Sequence, residues 1–457
     1  MISNRLHALG IVASAGYLLA TLLSFALAPT QLAFEGNGDG LRFYAKLFGI
    51  GPITSLSTHK AFVLAYVLPL LLPTLCAAVL LFPRNRAVSE AQVETAYRWA
   101  LVFALISCPS LPALAQDFWL SAAWGKMGSE GLNPYYVDMP QGLVTAWFPD
   151  TEVMRATYGP LWIGFMAGIM RIAQTPVVAF IVLKALLLLC WVGALGLVKS
   201  LTRCTAPSDR LAAIVAAGWL PAGVTQTVSE GHNDIAMVLM VLLWLRSGSA
   251  YALVAGIGCK YVVAPLALLE LVRRGPWQKW LLPSVFGLGV LLLFARDLEF
   301  FSSLLKMQGW PSFLTIGNVF SFAGTWAPSV ARVGVIASAA FIIFRLWKTE
   351  GDDAQIRRTL AVMAAVTFGV VSHLWPWYLA WVLLPAALRP RWWLSRFTTG
   401  LAMAAPFTVL YLTRQLPNDF LYHLPAVLLW GTALVWLLVT RPSTVRRSAI
   451  PIAPVGG

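Results

Sequence analysis

Apolar runs close to the length of a bilayer crossing recur from Leu9 to Val439, separated by short connections in which the basic residues gather. A helix needs about 20 apolar residues to span the hydrocarbon layer, where lipid offers no partner for backbone polar groups. The pattern excludes a soluble fold and predicts an all-α polytopic membrane protein. Of 457 residues 59% are hydrophobic and 11% charged, whereas a soluble domain carries about a quarter charged residues. A single membrane-embedded domain over 1–457 is therefore expected.

The net charge of +14 does not point to nucleic acid, because the basic residues fall in short clusters between apolar runs. Such clusters mark cytoplasmic loops. With the N-terminus in the cytoplasm, about 12 spans are expected, at 9–29, 61–82, 97–115, 176–198, 211–228, 234–247, 280–295, 333–348, 359–373, 376–388, 397–413 and 422–440. The inner face then receives Arg84, Lys199, Arg203, Arg273, Arg274, Arg357, Arg389 and the 441–457 tail, among others. The first span has no clear cleavage site and reads as retained. Five cysteines without C-x-x-C spacing indicate neither a disulfide framework nor a zinc site.

Two segments resist this count. The run 250–272 begins and ends near basic residues and carries Lys260 and Pro265 in its middle, which predicts a re-entrant helical pair. The run 157–172 is expected as a helix lying on or dipping into the outer face, since a full crossing would invert the basic loop that follows.

This arrangement gathers the distinctive polar residues on the extracytoplasmic side: Asp117, the 117–160 loop, Glu230 to Asp234, Arg296 and His373. Ionisable groups at a membrane edge are costly and commonly mark a site. Asp117 opens Asp117-Phe118-Trp119 where the third span meets the surface; it reads as a general base or as a solvated helix-end carboxylate. Glu130-Gly131-Leu132-Asn133-Pro134-Tyr135 is a turn signal, and Tyr158-Gly159-Pro160-Leu161 reopens a helix with proline in its first turn. The cluster His232-Asn233-Asp234 suits hydroxyl or phosphate binding or is a solvated loop. Lys260 needs an anionic partner or snorkels to water. His373 begins a tract, Leu374-Trp375-Pro376-Trp377-Tyr378, of the kind found at membrane interfaces.

In this order the motifs resemble the GT-C membrane glycosyltransferases that use polyprenyl-phosphate sugars, particularly bacterial α-mannosyltransferases and, more distantly, GPI mannosyltransferase I. The resemblance rests on Asp117-Phe118, Glu130-Gly131, Asn133-Pro134-Tyr135, Tyr158-Gly159-Pro160-Leu161, Gly231-His232-Asn233-Asp234, Lys260 before Pro265, and His373 with Pro376-Trp377-Tyr378. It implies a GT-C fold in a bacterial inner membrane, with the site facing the exterior. It also implies transfer of a hexose, most readily mannose, from a polyprenyl-phosphate donor to a glycan or glycolipid acceptor, with inversion. Asp117 would be the base. His232, Asp234, Lys260, Arg296 and His373 would hold the donor's phosphate and sugar; Glu130, Asn133, Tyr135, Tyr158, Trp377 and Tyr378 would bind substrate. The GPI enzymes carry Asp-x-Asp where this chain has Ala115-Gln116-Asp117, so a metal-independent reaction without a resident cofactor is expected.

No glycine-rich phosphate loop follows a strand pattern, which leaves a nucleotide sugar no evident seat and favours a donor dissolved in the membrane. A transporter or flippase of lipid-linked sugars would share the many spans and buried charges, but it predicts inverted repeats that the sequence does not display. A scaffold would leave the clustered Asp and His residues unexplained.

Overall fold

The computed structural model describes residues 2–31, 56–82, 87–112, 117–140, 155–173, 175–274, 277–302, 314–320, 324–371, 373–408 and 419–441. It is 80% helix, with no strand among these residues. In chain order the N-terminal part contributes α1 (Ile2–Gln31), α2 (Leu56–Leu81), α3 (Glu90–Ser107), α4 (Asp117–Ser129), α5 (Pro160–Ile172), α6 (Pro176–Leu201), α7 (Pro207–Gly218) and α8 (Pro221–Val224). The middle holds α9 (Asp234–Ser247), α10 (Ala250–Cys259), α11 (Ala264–Arg274), α12 (Gln278–Phe294) and α13 (Ile316–Phe320). The remainder is α14 (Ala327–Arg345), α15 (Asp352–Ala365), α16 (Leu379–Ala387), α17 (Trp393–Met403), α18 (Ala405–Thr408) and α19 (Asp419–Val439). The expected 441–457 tail beyond Arg441 and the segment around Ala115-Gln116 lie outside the described residues.

Local chemistry sets the helix starts. Ser89 caps α3 reciprocally with Gln92, and the Thr175 hydroxyl caps α6, where Pro176 fills the first position and needs no donor. Pro160 opens α5 in the same way, as the sequence predicts. The outward surfaces are apolar, with Leu189, Leu293 and Phe344 exposed, while Lys184, Glu230, His232, Asp234 and Arg358 are buried. A body with lipid-like residues outside and ionised groups inside is built for a hydrocarbon solvent.

Three helical stretches among the described residues are long and apolar enough to cross a membrane: Asn4–Phe25, Val177–Leu201 and Ala327–Arg345. A fourth is available if Pro207–Gly218 and Pro221–Ser229, bent by 58°, form one span. Several other expected spans are interrupted, among them 211–228, 359–373 and 397–413, so the structure supports a helical membrane protein without the expected count of 12. The segment expected at 211–228 breaks at Trp219-Leu220, ahead of Pro221, and then widens into a π-helical turn at Thr225–Ser229. Carbonyls released by the break find donors elsewhere: Tyr17 donates to Trp219 O (2.7 Å) and Trp191 to Gly223 O (2.9 Å). The segment expected as a re-entrant pair is two helices, α10 and α11, parted by extended backbone at Lys260 and a 3₁₀ turn.

The strand-like approach of Tyr158-Gly159 to the end of α10 sets the distance between the outer loop and Lys260. Gly159 N–H donates to Cys259 O (3.0 Å), and a Cβ on Gly159 would lie against the Gly258 carbonyl. A side chain here must push backbone from backbone. Gly159→Ala is expected to destabilise the fold by about 1–3 kcal/mol, read as a lowered thermal midpoint of the detergent-solubilised protein; an unchanged midpoint would contradict the contact.

Candidate active site

Asp117 is the first residue of α4, at the positive end of the helix dipole. Its side chain is 23% exposed. One oxygen accepts a hydrogen bond from the Tyr158 hydroxyl; the other lies 3.4 Å from His232 Nδ1. Burial pushes the carboxyl up from its ordinary value to about 6, Lys260 and the Tyr158 hydrogen bond pull it back, and Asp234 adds to the rise. At neutral pH Asp117 is therefore ionised yet close to its midpoint, the condition a general base needs.

His232 is wholly buried and stacks on Trp377, ring centroids 4.0 Å apart and 13° from parallel. Burial, then the charges of Lys260 and Lys184, hold its pKa well below the ordinary histidine value. The imidazole is neutral at pH 7, so its approach to Asp117 is not an ion pair. The loop reaches this position through Gly231, whose φ of +74° is the left-handed conformation and whose missing Cβ leaves room for the Phe118 ring.

Asp234 opens α9 and is buried. It accepts from Lys260 Nζ (2.7 Å) and from Trp381 Nε1. The same ammonium stands 5.0–5.1 Å above the rings of Tyr158, Tyr378 and Trp381. Lys260 thus has an aspartate partner and an aromatic cage rather than a path to water. Tyr378 stacks on Trp381 (4.0 Å) and approaches His373 Nε2 through its hydroxyl (3.3 Å). These contacts form one chain, Asp117–Tyr158–Lys260–Asp234–Trp381–Tyr378–His373, with His232 and Trp377 beside it.

Eight of the twelve residues singled out in the sequence are therefore brought together. Tyr135 stands one step back, its hydroxyl donating to Tyr158 O (2.7 Å). Asn133 ties the loop to the end of α12 by donating to Phe294 O (2.7 Å). The structure does not bring Glu130 or Arg296 to the cluster. Glu130 follows the far end of α4 and pairs with Lys126 at 3.2 Å; thirteen residues of helix separate it from Asp117 by about 20 Å. Arg296 is exposed, its guanidinium over the Tyr136 ring and its backbone N–H on the Tyr136 hydroxyl. Trp377 and Tyr378 are 5% exposed, so they pack behind the cluster rather than present a free surface. Sequence reasoning missed Trp381, three residues after Tyr378 and so on the same helical face, and Lys184, a single cation in an otherwise apolar run.

Among the described residues no group of three or more His, Cys, Asp or Glu side chains is placed to hold a metal ion. Residues 16–274, more than half of the chain, match a family described as "Alpha-(1->6)-mannopyranosyltransferase, N-terminal domain". No curated protein and no solved structure matches the chain. The matched region contains Asp117, Tyr158, His232, Asp234 and Lys260; His373, Trp377, Tyr378 and Trp381 come from beyond it.

The Tyr158 hydroxyl stabilises the charged form of Asp117, so removing it must favour the protonated form. Tyr158→Phe is expected to move the Asp117 titration above the native value of about 6, followed as the infrared carboxyl band against pH with Asp117→Asn as blank. A midpoint at or below the native one would show that the hydrogen bond does not tune the carboxylate.

Proposed function

The chain belongs to the alpha-(1->6)-mannopyranosyltransferase family and is a glycosyltransferase, and from that membership we propose that it moves an α-mannosyl residue from a polyprenyl-phosphate donor to a glycan or glycolipid acceptor, with Asp117 as base. The observation that carries this reading is the Asp117 carboxylate in contact with Tyr158 and His232, beside the caged cation Lys260 that stands over the Tyr158 ring, with burial raising the carboxyl to about 6. The family's described activity is a sugar transfer, which favours this reading over a transporter.

In the proposed step Asp117 takes the proton of an acceptor hydroxyl as that oxygen attacks the anomeric carbon. The bond from that carbon to the phosphate oxygen breaks, and polyprenyl phosphate leaves with the electron pair. An α product formed with inversion requires a β-linked donor. Charge developing on the leaving phosphate calls for a nearby cation. Lys260 serves electrostatically rather than by direct grip, since Asp234 and three rings already occupy it. In the parallel stack Trp375–Trp377–His232, half-buried Trp375 is the most exposed ring and the one suited to meet a pyranose. Base and cation both come from the chain, so the reading needs neither a divalent metal nor a resident cofactor.

We place this site on the extracytoplasmic face of a GT-C fold of about 12 spans over 1–457, in a bacterial inner membrane, with the prenyl tail among the helices and no role for nucleic acid. The apolar outer surface and the inner-face basic clusters support that orientation.

Asp117→Asn is expected to abolish mannosyl transfer in membranes while leaving the protein folded; full activity in that variant would sink the assignment. A base is competent only when ionised, so native activity should fall as pH drops through about 6, the value to which Asp117 is raised. A pH–rate profile for kcat/KM that stays level through pH ~5 would exclude Asp117 as the titrating base.

A further inference from the structure

We propose that Lys184 is a positioning residue for the reaction: from within α6 it clamps the backbone that delivers His232 to Asp117. Lys184 is 3% exposed, in the middle of the apolar stretch Val177–Leu201. An isolated ammonium in that setting is costly and needs anionic or carbonyl partners. Its Nζ donates to Val228 O and Ser229 O, both at 2.6 Å. These carbonyls sit at the end of the π-helical turn Thr225–Ser229, where the chain has left regular α-helix and where a cation offsets the negative end of the helix dipole.

Other side chains converge on the same turn. Ser110 donates to Ser229 O (3.0 Å) and lies 2.6 Å from the Ser229 hydroxyl. Tyr66 reaches buried Glu230 at 3.4 Å, and Glu230 acts on the charge of Lys184. Four residues separate Ser229 from the aspartate that opens α9. Within them Gly231 reverses the backbone and His232 meets both Trp377 and Asp117. Fixing residues 228 and 229 therefore fixes where the imidazole arrives. Lys184 touches no substrate in this scheme and acts through His232 and Asp117.

The inference rests on the reading of Asp117 as base, and its test has one arm that does not. In hydrogen exchange followed by mass spectrometry, Lys184→Met is expected to speed exchange in peptides covering 225–234 and to leave those of 160–172 as in the native protein. Unchanged exchange in 225–234 would overturn the clamp whatever the activity. With β-linked polyprenyl-phosphate mannose as donor and octyl α-mannoside as acceptor, Lys184→Met should lose kcat by ~100-fold, the size of effect that a 1 Å misplacement produces. Donor KM should stay within about threefold of native, while Lys184→Arg, which keeps the donors, recovers most of the rate. Native kcat in Lys184→Met, or loss in KM alone, would overturn the proposal. Should Lys184→Met fail to fold, Ser110→Ala removes two contacts to the same turn without unpairing Glu230; it is expected to raise exchange in 225–234 and lower kcat, and native behaviour in both would refute the clamp. A dead Asp117→Asn beside an unaffected Lys184→Met would leave the base assignment standing and remove only this inference.

Discussion

The ion pair between Lys260 and Asp234 is the interaction on which the site depends. It joins the break between α10 and α11 to the start of α9, and its aromatic surround brings in the loop before α5 and the first turns of the 376–387 segment. A buried pair of this kind adds little net stability, because desolvation offsets much of the attraction, yet losing one partner costs about 3–5 kcal/mol. Its value is in specifying geometry. In this arrangement the four segments give the ammonium its carboxylate and its three ring faces. Tyr158, fixed by that arrangement, is then aimed at Asp117.

Broken helices are the means by which polar chemistry enters an apolar body. An unbroken helix satisfies its own backbone and presents only side chains. Where α7 ends, where the π-helical turn ends and where α10 gives way to α11, free carbonyls and extended backbone appear among buried side chains. Tyr17, Trp191 and Lys184 from other helices, and Ser110 from the connection after α3, each meet one of these carbonyls. The cost of the breaks is thus met by contacts that also lock the site-bearing loops in place.

Much of this was legible in the sequence for identifiable reasons. Period, composition and basic clustering revealed the all-helical membrane character, and Pro265 with Lys260 inside an apolar run signalled the interruption of 250–272. Residues whose chemistry is incompatible with lipid stood out, which is why Asp117, His232, Asp234, Lys260 and His373 could be named. Apolarity alone did not show where helices stop: the 211–228 run is as hydrophobic through its break at Trp219-Leu220 as around it. Exposed or locally paired charges were the weak point. Arg296 and Glu130 resemble site residues in type, but only tertiary geometry reveals that one lies over Tyr136 and the other against Lys126. Lys184 and Trp381 were hidden for the opposite reason, each being a single unusual residue in a stretch whose role looked settled.

The cage around Lys260 is assembled from parts far apart in the chain, and this orders events during synthesis. Asp234 precedes Lys260 by 26 residues, so the carboxylate is already present when the ammonium emerges from the ribosome. Tyr378 and Trp381 follow more than a hundred residues later. Until they arrive, the pair has one open side and His232 lacks the Trp377 face on which it lies. A nascent chain that has completed its first 274 residues thus holds Asp117 and Lys260 but not the Tyr378 and Trp381 rings that complete the enclosure, which arrive only with the final third of the polypeptide.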